Sequence, residues 1–173
     1  MTLYISTVDL QIFCGAKRLL GRLISSRDYE RSIRRILSWK SSRAARLTTL
    51  HAIELLNETY SEGRSYRVRG DQTLHYGYCM FIAILIIWSY DTRRHQDHHL
   101  TGTLEGTEYL NEIRSALLSN SQVPKENNVC ADGLIQTVAD SLSGGRWDII
   151  IENRRLIVGL RTLTHPQKIK PEE

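Results

Sequence analysis

Three histidines and an aspartate stand close together in the sequence, at His95, Asp97, His98 and His99. Imidazole nitrogens and carboxylate oxygens are ligands that suit zinc or nickel, so this group is the candidate for a metal site. The spacing HxxHH matches no specific metal-binding motif, and neighbouring histidines in a polar loop are usually solvated. We therefore assign no metal and no other cofactor to this chain.

The cysteines are the other residues with nucleophilic or metal-binding chemistry. Cys14, Cys79 and Cys130 are widely spaced and odd in number, which favours free thiols over a disulfide framework or a zinc knuckle. A cysteine nucleophile needs a nearby base and a partly exposed setting, whereas Cys79 falls in a long apolar run where we expect it to be buried. The phosphate-binding, dinucleotide-binding, serine-hydrolase and zinc-protease motifs are all missing. The sequence therefore predicts a protein that is not an enzyme.

A basic segment runs from Lys17 to Arg46 and holds ten lysines and arginines against Asp28 and Glu30. Such a segment can bind nucleic acid or an acidic partner, or it can be the solvated outer face of surface helices. The lack of interleaved aromatic residues favours solvated helices. The alternative is a free-standing helical nucleic-acid-binding protein that uses residues 17–46. The arginines of its interaction face would be Arg31, Arg34, Arg35, Arg43 and Arg46.

The element that must position these residues is the run from Tyr76 to Tyr90, the most apolar stretch of the chain. Its apolar residues cover the whole circumference of a helix, as expected for a helix enclosed by other helices. The run is shorter than the roughly 18 to 20 residues that cross a bilayer. It is longer than a usual strand of about 4 to 8 residues. We therefore predict a central buried helix over residues 73–90, capped by Asp71 or Thr73, in a soluble protein without a membrane span.

Six amphipathic stretches flank this run, over residues 5–24 with a break near Gly15, then 28–39, 41–63, 105–120, 131–142 and 147–163. Their predicted inward residues are Ile5, Val8, Ile12, Ala16, Leu19 and Leu23; Tyr29, Ile33, Ile36 and Leu37; Ala44, Leu47, Leu50, Ile53 and Leu56; Tyr109, Leu110, Ile113, Ala116 and Leu117; Ala131, Leu134, Ile135, Val138 and Leu142; and Ile150, Leu156, Ile157, Leu160 and Leu163. The predicted fold is all-α, with about seven helices and no assigned strand. A solenoid of stacked helix pairs stays open as an alternative.

Several stretches together resemble a known family, the fungal-specific transcription factor domain, also called the xylanolytic-activator-type regulatory or middle homology region. In the central run the resemblance is carried by Tyr78, Phe81, Ala83, Leu85, Trp88 and Tyr90. Residues 128–134, which include Cys130 and Gly133, and then Trp147 and residues 160–163 resemble the C-terminal helices of the same domain. The match is particularly to members with paired C2H2 zinc fingers. Residues 9–22 are similar to a helix upstream of these.

The resemblance implies a helical regulatory domain of a nuclear, DNA-binding regulator of transcription by RNA polymerase II. It also implies that an N-terminal finger module, which is absent from this sequence, binds zinc and DNA, so we assign no zinc ligand and no base-reading residue. Residues 1–165 are expected to be the C-terminal portion of the longer family domain, and residues 166–173 a frayed charged tail. The implied partners are other parts of the full-length factor or co-regulator proteins. Uncovered apolar surface would favour association, so we expect the isolated chain to dimerise.

Overall fold

A computed structural model describes residues 4–19, 21–60, 66–70, 74–91, 106–119 and 131–163. These residues form seven α-helices, which are α1 Thr7–Phe13, α2 Ser26–Lys40, α3 Arg43–Tyr60, α4 Leu74–Asp91, α5 Gly106–Leu118, α6 Asp132–Ser141 and α7 Asp148–Leu160. Strands β1 Arg18–Leu19 and β2 Arg22–Leu23 lie between α1 and α2, and a 3-10 helix, Val68–Gly70, precedes α4. The predicted all-α fold with about seven helices is confirmed. Within the described ranges no helix is both long enough and apolar enough to span a membrane.

Helix α4 is the centre of the fold. Every residue from Met80 to Ser89 is buried, and α4 packs against α1, α2, α3, α6 and α7. Helix α5 packs against α3 and α6 instead, and reaches α4 through the Tyr109 hydroxyl, which donates to an Asp91 carboxylate oxygen at 2.8 Å. Neighbours on several sides explain why apolar residues cover the whole circumference of α4. The predicted central buried helix over residues 73–90 is therefore confirmed.

The break predicted near Gly15 is confirmed, but the helix predicted beyond that break, as far as residue 24, is wrong. Gly15 follows the end of α1 with a φ of 94°, and Gly21 lies in the hairpin turn with a φ of 80°. The antiparallel pairs of the hairpin are Arg18 with Leu23 and Leu19 with Arg22. Because glycine adopts positive φ readily and other residues do so at a cost, the two glycines stop the helix and close the turn. Two short strands therefore replace the second half of that helix.

The inward stripe predicted for α3 is wrong at its start. Leu47 is 41% exposed, whereas Ile53 and Leu56 are fully buried. The buried residues of α3 are Ala45, Thr48, Thr49, Ala52, Ile53, Leu56 and Thr59. A three-residue step falls about 60° short of a full turn each time, so a stripe drawn at that step drifts around the helix. Three other predicted inward residues are exposed, namely Val8, Leu23 and Leu37.

The stripes predicted for α5, α6 and α7 are confirmed. In α5 and around α6 every predicted inward residue is buried, and in α7 Ile150, Ile157 and Leu160 are buried. Leu156 and Leu163 are half-buried and pack against the same core. These three helices therefore present to the core the faces that a 3.6-residue period predicts.

Candidate interaction surface

Part of the predicted chemistry falls on residues whose structure is not described. These are His95, Asp97, His98, His99 and Cys130, the candidate caps Asp71 and Thr73, and the tail 166–173. Among the residues that are described, no group of three or more His, Cys, Asp or Glu could hold a metal ion. The assignment of no metal to the histidine cluster therefore stays a prediction.

The two described cysteines have environments that suppress thiolate formation. Cys14 is buried, with its Sγ 3.4 Å from the Ser89 Oγ, and burial raises the pKa of the Cys14 thiol to about 12. Cys79 is half-buried, so the prediction that it is fully buried is wrong, and its Sγ lies 3.7 Å from Nε2 of His75. Burial raises the pKa of the Cys79 thiol as well. Because the thiolate is the nucleophile, neither environment activates a cysteine at neutral pH.

Most residues that carry the family resemblance belong to the core. The buried ones are Phe81, Ala83, Leu85 and Trp88, whereas Tyr78, Tyr90 and Gly133 are half-buried. The Trp88 ring meets Phe13 of α1 edge-on with 6.0 Å between centroids, and the Tyr78 ring lies 5.9 Å from Phe81. The Trp88 contact thus joins α4 to α1, whereas the Tyr78 contact with Phe81 lies within α4.

Trp147 differs from these residues because 53% of it is exposed. It is the N-cap residue of α7, with φ −93° and ψ 130°. Ile151 and Val158 follow at steps of four and seven residues, and they are 41% and 40% exposed. The three side chains share one side of the helix, and we call them the outer α7 face. Only the inner side of α7 was predicted from the sequence, although the same periodicity rule applied to Trp147 would have revealed this second side.

The five arginines predicted as one basic face have different roles. Arg35 donates from Nη1 to Oδ2 of Asp9 at 3.0 Å, and Arg46 donates to the Leu117 carbonyl oxygen at 2.7 Å. These two side chains therefore connect elements of the fold. Arg31, Arg34 and Arg43 are exposed, with no hydrogen bond or ion pair to any other described residue. Tertiary contacts thus separate Arg35 and Arg46 from the other three arginines of the predicted face.

The acceptor of Arg35 is part of a buried polar contact between α1 and α2. The Asp9 carboxylate is only 5% exposed, and it also accepts a hydrogen bond from Ser32 Oγ at 2.8 Å. Burial acts to raise the pKa of Asp9, but the hydrogen bonds with Ser32, Arg35 and Ser6 and the charge of Arg35 together hold that pKa below its ordinary value. Asp9 therefore stays ionised and fixes the position of α1 on α2.

Arg27, absent from the predicted face, lies on the same side of α2 as Arg31 and Arg34. Steps of four and three residues bring these side chains one helical turn apart, opposite the buried Ser32 and Ile36. We call Arg27, Arg31 and Arg34 the arginine stripe. Like its two neighbours, Arg27 forms no hydrogen bond or ion pair within the described part of the chain. The stripe is therefore a row of exposed positive charge.

Comparison with known proteins supplies the functional context. The chain is 26% identical over 167 residues to the nicotinate catabolism cluster-specific transcription factor of Emericella nidulans, a match that covers 92% of this chain and 18% of that protein. It is 22% identical over 165 residues to zinc finger protein klf1 of Schizosaccharomyces pombe, covering 91% of this chain and 20% of that protein. It is also 22% identical over 134 residues to zinc finger protein zas1 of the same organism, covering 72% and 15%.

These homologues are fungal transcription factors. The match to the E. nidulans factor extends over most of the helical fold and not only over one motif. The chain spans about a fifth of the length of the curated relatives it matches. No protein-family model and no solved structure matches it. The chain is thus related to fungal transcription factors.

Proposed function

We propose that this chain is a regulatory and interaction domain of a fungal transcription factor, and that it controls transcription by RNA polymerase II through contacts with other proteins. The observation that carries the proposal is the similarity to a transcription factor over 92% of the chain. The resemblance of the α4 residues to the fungal-specific transcription factor domain supports it. In this proposal the core residues keep the fold, and the exposed helix faces make the contacts.

The proposal also concerns location and partners. The protein acts in the nucleus, where it contacts other parts of the full-length factor or co-regulator proteins. Residues 1–165 form the regulatory domain, as the C-terminal portion of a longer family domain. Zinc and DNA are bound by a finger module outside this chain. The names of two relatives, both zinc finger proteins, support the assignment of zinc and DNA binding to a separate module.

A tethering experiment tests the proposal. The chain is fused to an unrelated DNA-binding domain, and a reporter gene with the matching sites is measured in fungal cells. We expect reporter expression to change severalfold relative to the DNA-binding domain alone. Leu85→Asp, which places a charge in the core, should abolish the effect, whereas Leu47→Asp at an exposed site should preserve it. An unchanged reporter with an intact nuclear fusion would contradict the proposal.

The second candidate function is nucleic-acid binding through residues 17–46, and the arginine stripe is the observation that favours it. Binding to phosphates releases counterions, so this function predicts retention of DNA or RNA at low salt and a steep loss as the salt concentration rises. A purified chain that retains neither nucleic acid at low salt would remove this candidate.

A further inference from the structure

The arginine stripe lacks the acceptors that most arginines of the later helices have. The bonded pairs there are Arg46 with the Leu117 carbonyl, Arg114 with Glu54, Arg154 with the Ala139 carbonyl and Arg155 with Glu152. In the described structure, Arg27, Arg31 and Arg34 have no equivalent acceptor. The three guanidinium groups of the stripe therefore face outward without a bonded acceptor among the described residues.

The carboxylates near the stripe form no hydrogen bond or ion pair with its arginines among the described residues. Oδ2 of Asp28 accepts hydrogen bonds from Ser25 Oγ at 2.7 Å and from Arg22 Nη2 at 2.9 Å. Its interaction with Arg31 is electrostatic, without a hydrogen bond. Glu30 is exposed and makes no bond to the stripe. Glu30 stands four residues before Arg34 and Asp28 three residues before Arg31, so these carboxylates offset part of the charge of the stripe without bonding to it. An acidic partner would supply the bonded acceptors that the stripe lacks.

An exposed leucine follows the C-terminal end of the stripe. Leu37 lies three residues after Arg34, on the same side of α2, and is 51% exposed. A phosphate backbone would leave this leucine in water. A peptide that carries acidic and apolar side chains can cover it while it neutralises the arginines.

We propose that the arginine stripe, together with Leu37, is a docking surface for an acidic peptide segment that also carries apolar side chains. The inference rests on the proposed function and deepens it, because it specifies the chemistry of the protein partner. Carboxylates of the segment accept hydrogen bonds from the guanidinium groups, whose planar fork suits a carboxylate. Over the seven residues between Arg27 and Arg34, the row of charge extends about 10 Å along the helix axis.

Fluorescence anisotropy with the full chain tests this surface. The probe is a labelled synthetic peptide with glutamate and leucine at helical spacing. A twin peptide with glutamine for glutamate and a labelled mixed-sequence DNA duplex serve as comparisons. We expect the acidic peptide to bind, the neutral twin to bind far more weakly, and the affinity to fall as salt rises. We also expect Leu37→Ser to weaken binding of the peptide severalfold.

Two triple variants separate the stripe from total charge. Combining Arg27→Gln, Arg31→Gln and Arg34→Gln should weaken binding of the acidic peptide by about tenfold or more. The matched control combines Arg67→Gln, Arg69→Gln and Arg146→Gln, which removes the same charge from exposed sites elsewhere, and should weaken it by less than about twofold. Circular dichroism checks that both variants keep their helices.

Three outcomes would overturn the docking surface. Equal losses in both triple variants would mean that only net charge matters. Tighter binding to the DNA duplex than to the peptide, lost only in the stripe variant, would assign the surface to nucleic acid. The inference can also fail separately from the proposed function. A responsive tethered reporter without peptide binding would overturn the docking surface alone, whereas peptide binding with a silent reporter would contradict the regulatory function.

Discussion

At the scale of single residues, the buried carboxylate of Asp9 stabilises the fold in its ionised form. We predict that Asp9→Asn lowers the free energy of unfolding at pH 7 by about 1–3 kcal/mol, because Ser32 and Arg35 lose a charged acceptor. The control is Glu30→Gln, which alters an exposed carboxylate and should change stability by less than about 0.5 kcal/mol. Urea unfolding followed by circular dichroism measures both.

The same carboxylate predicts how stability depends on pH. The pKa of Asp9 is lower in the folded chain than its ordinary value of 3.8, so the folded state favours the ionised form. This contribution is complete above the unfolded pKa and is lost as the pH falls through the folded pKa. Between pH 5 and pH 2 the native chain should therefore lose more stability than Asp9→Asn. If both proteins lost the same stability as the pH falls, the role assigned to Asp9 would be contradicted.

Two glycines with positive φ provide a matched pair of substitutions. A Cβ on Gly15 would lie 2.9 Å from Cδ1 of Leu163, whereas a Cβ on Gly21 would meet nothing within 4 Å. Alanine is strained at both sites by about 1 kcal/mol, and at Gly15 it must also displace Leu163. We expect Gly15→Ala to lower the free energy of unfolding by about 2–3 kcal/mol and Gly21→Ala by about 1 kcal/mol. Equal losses in chemical denaturation would argue against the Leu163 contact.

At the scale of elements, α4 carries the largest share of the core. We predict that Leu85→Ala lowers the free energy of unfolding by about 2–5 kcal/mol, because it opens a cavity among several helices. Leu47→Ala removes the same atoms from an exposed position on α3 and should cost less than about 1 kcal/mol. Thermal unfolding of both variants gives the comparison. Similar losses would mean that α4 is not the centre of the core.

How far the elements were predictable depends on the cause of each pattern. Helices α5 to α7 follow from apolar periodicity, and α4 follows from the length of its continuous apolar run. The hairpin after α1 was missed because apolar residues at helical spacing continue through two glycines whose positive φ decides the backbone. The face of α3 was misplaced because three-residue spacing resembles a stripe while drifting around the helix.

The candidate surface was predictable only in part, for a different reason. Charge counting located the basic segment, and Arg31 and Arg34 do lie on its exposed side. Arg35 and Arg46 are bonded to Asp9 and to the Leu117 carbonyl, which lie on other helices. Acceptors so distant in sequence are assigned by tertiary packing, which no local pattern reveals. Arg27 belongs to the stripe through helical spacing alone, so it could have been predicted from the sequence.

At the scale of the whole molecule, the outer α7 face is the apolar surface that bears on assembly. We predict that the isolated chain self-associates through Trp147, Ile151 and Val158, because clustered exposed apolar side chains favour contact between copies. Combining Ile151→Ser and Val158→Ser should shift light scattering towards the monomer. Leu118→Ser, at a 65% exposed site on α5, should leave the distribution unchanged. A native chain that is monomeric at all concentrations would refute this.

Helix α4 is buried by helices that precede it in the sequence and by helices that follow it, and this order has a consequence for biosynthesis. The ribosome completes α4 before it makes α6 and α7, two of the helices that cover it. At translation rates of roughly 5–20 residues per second, α4, the most apolar segment of the nascent chain, stays exposed for several seconds before these helices are made. Chaperones should therefore engage the chain at this stage. A premature stop codon between α5 and α7 should yield a product that is degraded and not a partly active domain.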